Sequence, residues 1–353
     1  MSDAVSSEPS EPSEPSELPG LDLAALREYL DGAVPGLVAG PLRGELITGG
    51  RSNLTYRVTD GVSSWVVRRP PLGHVLATAH DMGREYRVIS ALAGSEVPVP
   101  ATVVLCEDTA VLGAPFYVME RVAGRTYRRD TELRELGRER TRSISAGMVE
   151  VLARLHAVDP HAVGLGDFGR PEGFLERQVR RWRKQLDASR SREVPGIDEL
   201  HVRLERRVPA DAPPAIVHGD YRLDNLLIDD ADEVAAVLDW EMATLGDPLT
   251  DVALLATYRG LSEIRGSDAV ADAGDAPGFL EPGEMLAAYA AASGRSLPDM
   301  GFYLGLAHFK LAVILEGIHY RYTQGATVGS GFESVGAVVE PIVASGLDAV
   351  KES

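Results

Sequence analysis

Short β-type apolar runs occupy the chain from Leu42 to Val122, whereas after Gly124 apolar residues recur mostly at three- and four-residue spacings. The first pattern is that of strands and the second that of helices, because side chains alternate across a strand but line one face of a helix every 3.6 residues. The runs RGELITG, NLTYRVTD, SWVVRRP, ATVVLCE and FYVMERV each predict a strand. One helix interrupts them, roughly Ala79 to Ala93, with Met82, Ile89 and Leu92 on its apolar stripe. Glu85 falls on that same stripe, and a carboxylate on an inward face needs a partner. Before the strands, Leu23, Leu26 and Leu30 predict a short amphipathic helix. Further on, Ile144, Met148, Val151, Leu152 and Leu155 form a strong helical stripe, and Pro298 to Tyr322 reads as a long apolar helix that must sit in a core.

Two short apolar runs lie between those helices, AIVHGDYRLDNLLID and EVAAVLDWE, separated by a turn at Asp229–Asp232. This places Asp220 and Asn225 in a loop entering one strand and Asp239 at the end of the next. The opening repeats Ser-Glu-Pro three times and is too polar and proline-broken to bury anything, so residues 1–20 read as a disordered acidic tail. The remainder divides into a lobe of residues 21–122 and a lobe of residues 123–353. The expected fold class is α+β: a small antiparallel sheet with one helix, then a larger, mainly helical part.

Composition narrows the partners. With 353 residues, 44% of them apolar, the chain can bury a sizeable core. A formal net charge of −18 argues against nucleic acid as the main partner, since phosphate backbones demand a basic surface. The single cysteine, Cys106, excludes an internal disulfide framework and fits a reducing compartment. No signal-like start and no long apolar run is present, so a cytoplasmic chain without a membrane partner is expected. The oligomeric state is not set by any of this. Only Lys184, Lys310 and Lys351 are lysines, so a cation needed in the first half must be arginine.

The segment His218–Asn225, HGDYRLDN, carries the chemistry. Asn225 follows Asp220 by five positions and Asp239 follows Asn225 by fourteen, after a predicted hairpin. A protein-kinase catalytic loop has the same aspartate-to-asparagine spacing, with a second metal-binding aspartate beyond a hairpin. Phosphoryl transfer needs one carboxylate to orient the attacking hydroxyl or accept its proton, while hard oxygen ligands hold Mg²⁺ over the phosphates. Asp220 suits the first role; Asn225 and Asp239 suit the second. The competing reading is an Asx-rich turn whose side chains cap their own backbone.

These residues, with Leu238-Asp239-Trp240-Glu241 and Gly246-Asp247-Pro248 beyond them, resemble the aminoglycoside phosphotransferase-like small-molecule kinases. The resemblance extends over Gly49–Tyr56, Arg84-Glu85-Tyr86 and Phe116–Glu120, and so over about residues 40–325. It is nearest to the branch that also occurs fused to acyl-CoA dehydrogenases, through VVRRP, GLGDFGRP and RQVRRW. The resemblance implies a protein-kinase-like two-lobe fold, with ATP and Mg²⁺ as cofactors and a small-molecule hydroxyl as acceptor. It implies a phosphate-approaching turn containing Gly50, Ser52 and Asn53, and adenine-facing backbone from Glu120 to Val122. Arg222 stands where members place a cation near the transferred phosphate. The usual kinase lysine on the third strand is missing, so Arg68 or Arg69 must replace it, paired with Glu85. His218 is expected to hold the loop rather than react, and Asp247 and Asp251 to cap the next helix and brace the loop.

A GxGxxG and a DFG overlap at Gly164–Gly169, but the first follows a helix and the second precedes the catalytic loop, so neither carries its usual meaning. The short distance from Asp239 to GDPLTDVALLATY leaves no room for a protein-docking segment, which favours a small acceptor. Glu241 and Glu316 would suit a polycationic sugar, whereas ERQVRRWRKQLDASRSR, residues 176–192, would suit substrate phosphates. A hydroxylated acyl compound or other metabolite is slightly favoured. The alternatives are a nucleotide-binding scaffold without catalysis and a hydrolase using Asp220 and His218.

Overall fold

The computed structural model describes residues 18–47, 53–73, 80–260, 273–326 and 332–351. It contains two compact units: residues up to 83 together with 102–121, and residues 84–101 together with 122 onward. The second unit therefore takes in nearly all of the helix that interrupts the strands.

In the first unit five strands pair antiparallel in the order β1-β2-β3-β5-β4. They are β1 (Arg43–Leu46), β2 (Leu54–Thr59), β3 (Ser64–Arg69), β4 (Thr102–Cys106) and β5 (Phe116–Glu120). One face carries Tyr56, Val58, Trp65, Val67, Phe116 and Val118 and packs with Leu26 and Leu30 of helix α1 (Leu23–Ala33). Asp22 caps α1 by accepting from the Ala24 and Ala25 N–H groups, at 2.8 and 3.0 Å. Leu18–Gly20, read from the sequence as the end of the tail, are tied down instead. The Pro19 carbonyl accepts from the Tyr56 hydroxyl, and the Gly20 carbonyl from Arg69.

The second unit begins in α2 (Met82–Leu92), where Glu85 is buried together with Val88, Ile89 and Leu92. Helices α4 (Asp130–Leu136), α5 (Arg138–Ala157), α6 (Phe174–Ser189) and α7 (Ile197–Arg206) follow, α3 being a single turn at Thr109–Leu112 in the first unit. Four short strands build two ribbons. β6 (Ala215–Val217) pairs with β9 (Thr244–Gly246), and β7 (Leu226–Ile228) with β8 (Val234–Val237). Helices α8 (Leu249–Gly260), α9 (Pro282–Ser293), α10 (Met300–Thr323) and α11 (Val335–Lys351) complete the unit. Among the described residues α10 alone is long and apolar enough to cross a membrane, but 67% of its most apolar window is buried by the rest of the fold.

The Gly164–Gly169 segment is structural, as its position implied. Phe168 lies 3.9 Å beneath the Arg84 guanidinium, which also donates to the Phe168 and Ala243 carbonyls. Glu316 is fully buried on α10, where it accepts from Ser191 and forms an ion pair with Arg192 at 3.0 Å. It is therefore committed to packing and is not a pocket carboxylate for a cationic sugar.

Candidate active site

Asp220 sits in the loop between β6 and β7, and that loop is over-determined. The Asp251 carboxylate, on the first turn of α8, accepts from the His218 and Gly219 backbone N–H groups at 2.6 and 2.8 Å. The His218 ring bridges the loop to the β8 end: Nε2 donates to the Leu238 carbonyl at 2.8 Å, and Nδ1 accepts from the Asp220 N–H at 3.2 Å. Both contacts are satisfied by one neutral tautomer, so His218 holds the loop by hydrogen bonds. Gly219 has φ +83°, and a Cβ there would meet the Met242 Cβ and carbonyl at 2.8 Å. Only glycine fits.

The Asp220 carboxylate accepts from two side chains. Tyr258 of α8 donates to Oδ1 at 2.8 Å, and the Asn225 amide donates to Oδ2 at 3.2 Å and to the Asp220 carbonyl at 2.8 Å. Burial, then the Asp220 charge, push the Tyr258 phenol up, which keeps it a donor. With its amide nitrogen committed to Asp220, Asn225 turns its oxygen the other way. Asn225 closes the turn Leu223–Asn225, and its backbone carbonyl accepts from the Leu238 N–H at 2.8 Å, beside Asp239. Asp239 has left-handed backbone, φ +65° and ψ +61°, at the start of the turn Trp240–Met242. A non-glycine residue in that region marks a place where surrounding structure imposes a conformation, here re-aiming the chain just after β8.

These two oxygen-bearing groups fit Mg²⁺ in kind. It takes one or two protein oxygens and completes its shell with phosphate and water, so it needs no cage of acids. Among the described residues no group of three or more His, Cys, Asp or Glu could hold a metal alone.

Arg222 departs from the role that the resemblance implied. Its guanidinium is clamped by Asp224 two residues on and stacks 5.0 Å from the Tyr258 ring centroid. A cation with its fork filled by a carboxylate steadies Tyr258, and through it Asp220, rather than standing open to a phosphate.

In the first unit, β3 separates the two arginines. Arg69 lies on the α1 side with Trp65 and Val67, donating to the Leu112 carbonyl at 2.7 Å and to Gly20. Arg68 takes the opposite parity with Val66, across from Thr55 on β2 and Tyr117 on β5. Asn53 is buried and its Oδ1 lies 2.8 Å from His80 Nδ1. Gly50 and Ser52 lie outside the described residues. Glu120 is exposed at the end of β5, and Val122 is half-buried beyond it.

Lys310 is a residue that the sequence reading placed only in a core helix. It reaches from α10 to donate to the Gly219 carbonyl. Burial lowers its ammonium pKa, while Asp220 and Asp251 act to hold it charged. The signal was present, since a lone lysine in an apolar helix has to find a polar partner.

Asp251 also receives His156 Nε2 at 3.4 Å, whose Nδ1 contacts the Tyr289 hydroxyl at 2.8 Å. Burial holds His156 below the ordinary histidine pKa; Asp251 is held low because bonds from His156 and His218 outweigh its own burial. In both cases the unfolded chain binds the proton first, so acid costs stability. Stability should fall as pH drops below ~6.5 and again below ~3.9, the unfolded values of the two groups. Urea midpoints measured against pH check this: His156→Gln should flatten the upper step, and an unchanged slope would contradict it.

Asp247 and Asp251 divide the two jobs expected of them. Asp247 caps α8 by accepting from the Leu249 N–H at 3.0 Å and also accepts from the Tyr303 hydroxyl at 2.8 Å, while Asp251 braces the loop.

Residues 43–300 match the family model described as "Phosphotransferase enzyme family". A Ralstonia eutropha protein assigned to the aminoglycoside phosphotransferases has a crystal structure similar to this one, with TM-score 0.81 and 35% identity over 94% of this chain and 98% of that one. A thermostable aminoglycoside phosphotransferase mutant, solved with ADP and hygromycin B, shares the fold at TM-score 0.57 and 16% identity, covering 91% of this chain and 98% of that one. The chicken acyl-CoA dehydrogenase family member 11 is 34% identical over 94% of this chain, yet the match spans only 44% of that protein. The chain thus spans less than half of the curated relative it matches. Its antiparallel five-stranded unit and mainly helical unit are those of the kinase-like fold of these neighbours. The chain belongs to the phosphotransferase enzyme family.

Proposed function

We propose that this chain is an ATP-dependent small-molecule kinase that transfers the terminal phosphoryl group to an acceptor hydroxyl. The observation that carries this reading is the Asp220 carboxylate, fixed by Tyr258 and Asn225 in a loop whose backbone is pinned by His218 and Asp251. Such a group orients the attacking hydroxyl and takes its proton as the new P–O bond forms and the bond to the ADP oxygen breaks. Asn225 Oδ1 and the Asp239 carboxylate would hold Mg²⁺, which when bound neutralises charge on the phosphates. Arg68, Glu85, Glu120, Val122 and the turn containing Gly50, Ser52 and Asn53 are assigned to the nucleotide. Arg222 is assigned to positioning Tyr258.

The acceptor we favour is a hydroxylated acyl compound or other metabolite. The packing of Glu316, which leaves it nothing to offer a cationic sugar, and the likeness to a chicken protein named as an acyl-CoA dehydrogenase family member support this choice. A cytoplasmic setting belongs to the same reading. A non-catalytic nucleotide-binding scaffold remains the second reading, on the strength of the arginine at the kinase lysine position.

Calorimetric titration of ATP with and without Mg²⁺ tests the metal assignment. Wild type should bind more tightly with Mg²⁺, and Asp239→Ala should lose most of that gain; an equal gain in the variant would remove Asp239 from the site. Tyr258→Phe deletes one hydrogen bond to a charged group, so turnover should fall about tenfold with the nucleotide KM unchanged. An unaltered turnover would show that Asp220 needs no such anchor.

A further inference from the structure

The helical unit contains a cleft lined in part by Gly219 of the Asp220 loop, Met242 of the turn after Asp239, Phe174, Arg181 and Trp182 of α6, and Lys310 of α10. Two cations flank one ring there: Lys310 Nζ lies 5.5 Å and the Arg181 guanidinium 5.4 Å from the Trp182 centroid. Four other arginines of the 176–192 stretch are spoken for. Arg180 pairs with Glu176, Arg183 with Asp187 and Asp198, Arg190 with Asp198, and Arg192 with Glu316. Arg177 is bound to the Glu172 and Arg170 carbonyls. Among the described residues neither Arg181 nor Lys310 is in an ion pair.

The one carboxylate lining the cleft, Asp251, spends its oxygens on the His218 and Gly219 N–H groups and on His156. Arg181 is exposed on α6 and Lys310 half-buried on α10, and partial desolvation works against each charge, so an incoming anion would be welcome beside them. Thr250 and Leu254 line the cleft from α8, and Tyr258, one turn further along the same helix, donates to Asp220. Gly219, the residue before Asp220, lines the cleft itself, so the cleft abuts the loop that carries the reacting carboxylate.

We propose that this cleft is the acceptor's anion subsite, in which Arg181 and Lys310 seat the carboxylate or phosphate of a hydroxylated acid while its hydroxyl lies at Asp220. Trp182 and Phe174 provide apolar walls for the carbon skeleton. The assignment rests on the kinase reading for the hydroxyl end, and it selects against polycationic sugars, which would meet two like charges.

Calorimetry on the full chain with glycerate, glycerol phosphate and glycerol isolates the charge, since the three share one skeleton. At least one of the two anions should bind about tenfold more tightly than glycerol, and which one does distinguishes a carboxylate from a phosphate site. Arg181→Glu should weaken that binding about tenfold or more, whereas Arg180→Ala on the same helix should leave it unchanged. Glycerol binding as well as the anions, no anion binding, or an Arg181→Glu protein with wild-type affinity would each overturn the subsite. MgATP is titrated into the same preparations. Nucleotide binding without anion preference sinks the subsite alone, and anion preference without nucleotide binding sinks the kinase reading alone.

Discussion

Asp220→Asn is expected to lower turnover with MgATP by about 10²- to 10⁴-fold while leaving nucleotide affinity near that of wild type. The carboxylate accepts from Tyr258 and Asn225 on its two oxygens, which fixes its plane and leaves it as the group able to take a hydroxyl proton. Asparagine keeps the size but loses the charge and the basicity, and its amide must turn a donor toward one of two existing donors. Nucleotide binding is assigned to other residues and should survive. Steady-state kinetics paired with calorimetry reads both quantities, and a variant with full turnover would remove Asp220 from the chemistry.

Asp251→Ala should destabilise the protein by about 3–5 kcal/mol and take activity down with it. The side chain is 1% exposed and receives two backbone N–H groups from the catalytic loop as well as His156. Truncation strands those buried donors without a partner, at about 1–3 kcal/mol each. It also frees the backbone on either side of Gly219. Asp251→Asn retains one acceptor and should cost less. Urea unfolding with turnover measured at low denaturant separates the two effects. A loss under about 1 kcal/mol would mean that Asp251 does not brace the loop.

Much of this was legible in the chain itself, for identifiable reasons. The strands of the first unit and the β7–β8 hairpin stand out because short apolar runs are bounded by turn chemistry. The grouping of Asp220 with Asn225 was legible because both belong to one short loop, closed by a hydrogen bond between them. The choice between Arg68 and Arg69 was not, because Trp65, Val66 and Val67 are all buried and the alternation that reveals parity is absent. The pairing of Arg222 with Asp224, a carboxylate two residues away, is a local competition that spacing alone does not reveal. Tyr258 and Lys310 escaped notice since they reach the loop from helices 38 and 91 residues away in sequence. Only packing brings them there. The basic 176–192 stretch read as a possible phosphate surface, yet most of its arginines neutralise neighbours and only Arg181 lines the cleft.

The most direct test gives the protein terminally labelled ATP, Mg²⁺ and a mixture of small hydroxylated metabolites, and follows where the label goes. Recovery of label in an organic phosphate ester, lost in Asp220→Asn, is the predicted result. Label that stays on ATP despite tight MgATP binding, or that appears only as inorganic phosphate, would contradict the kinase account.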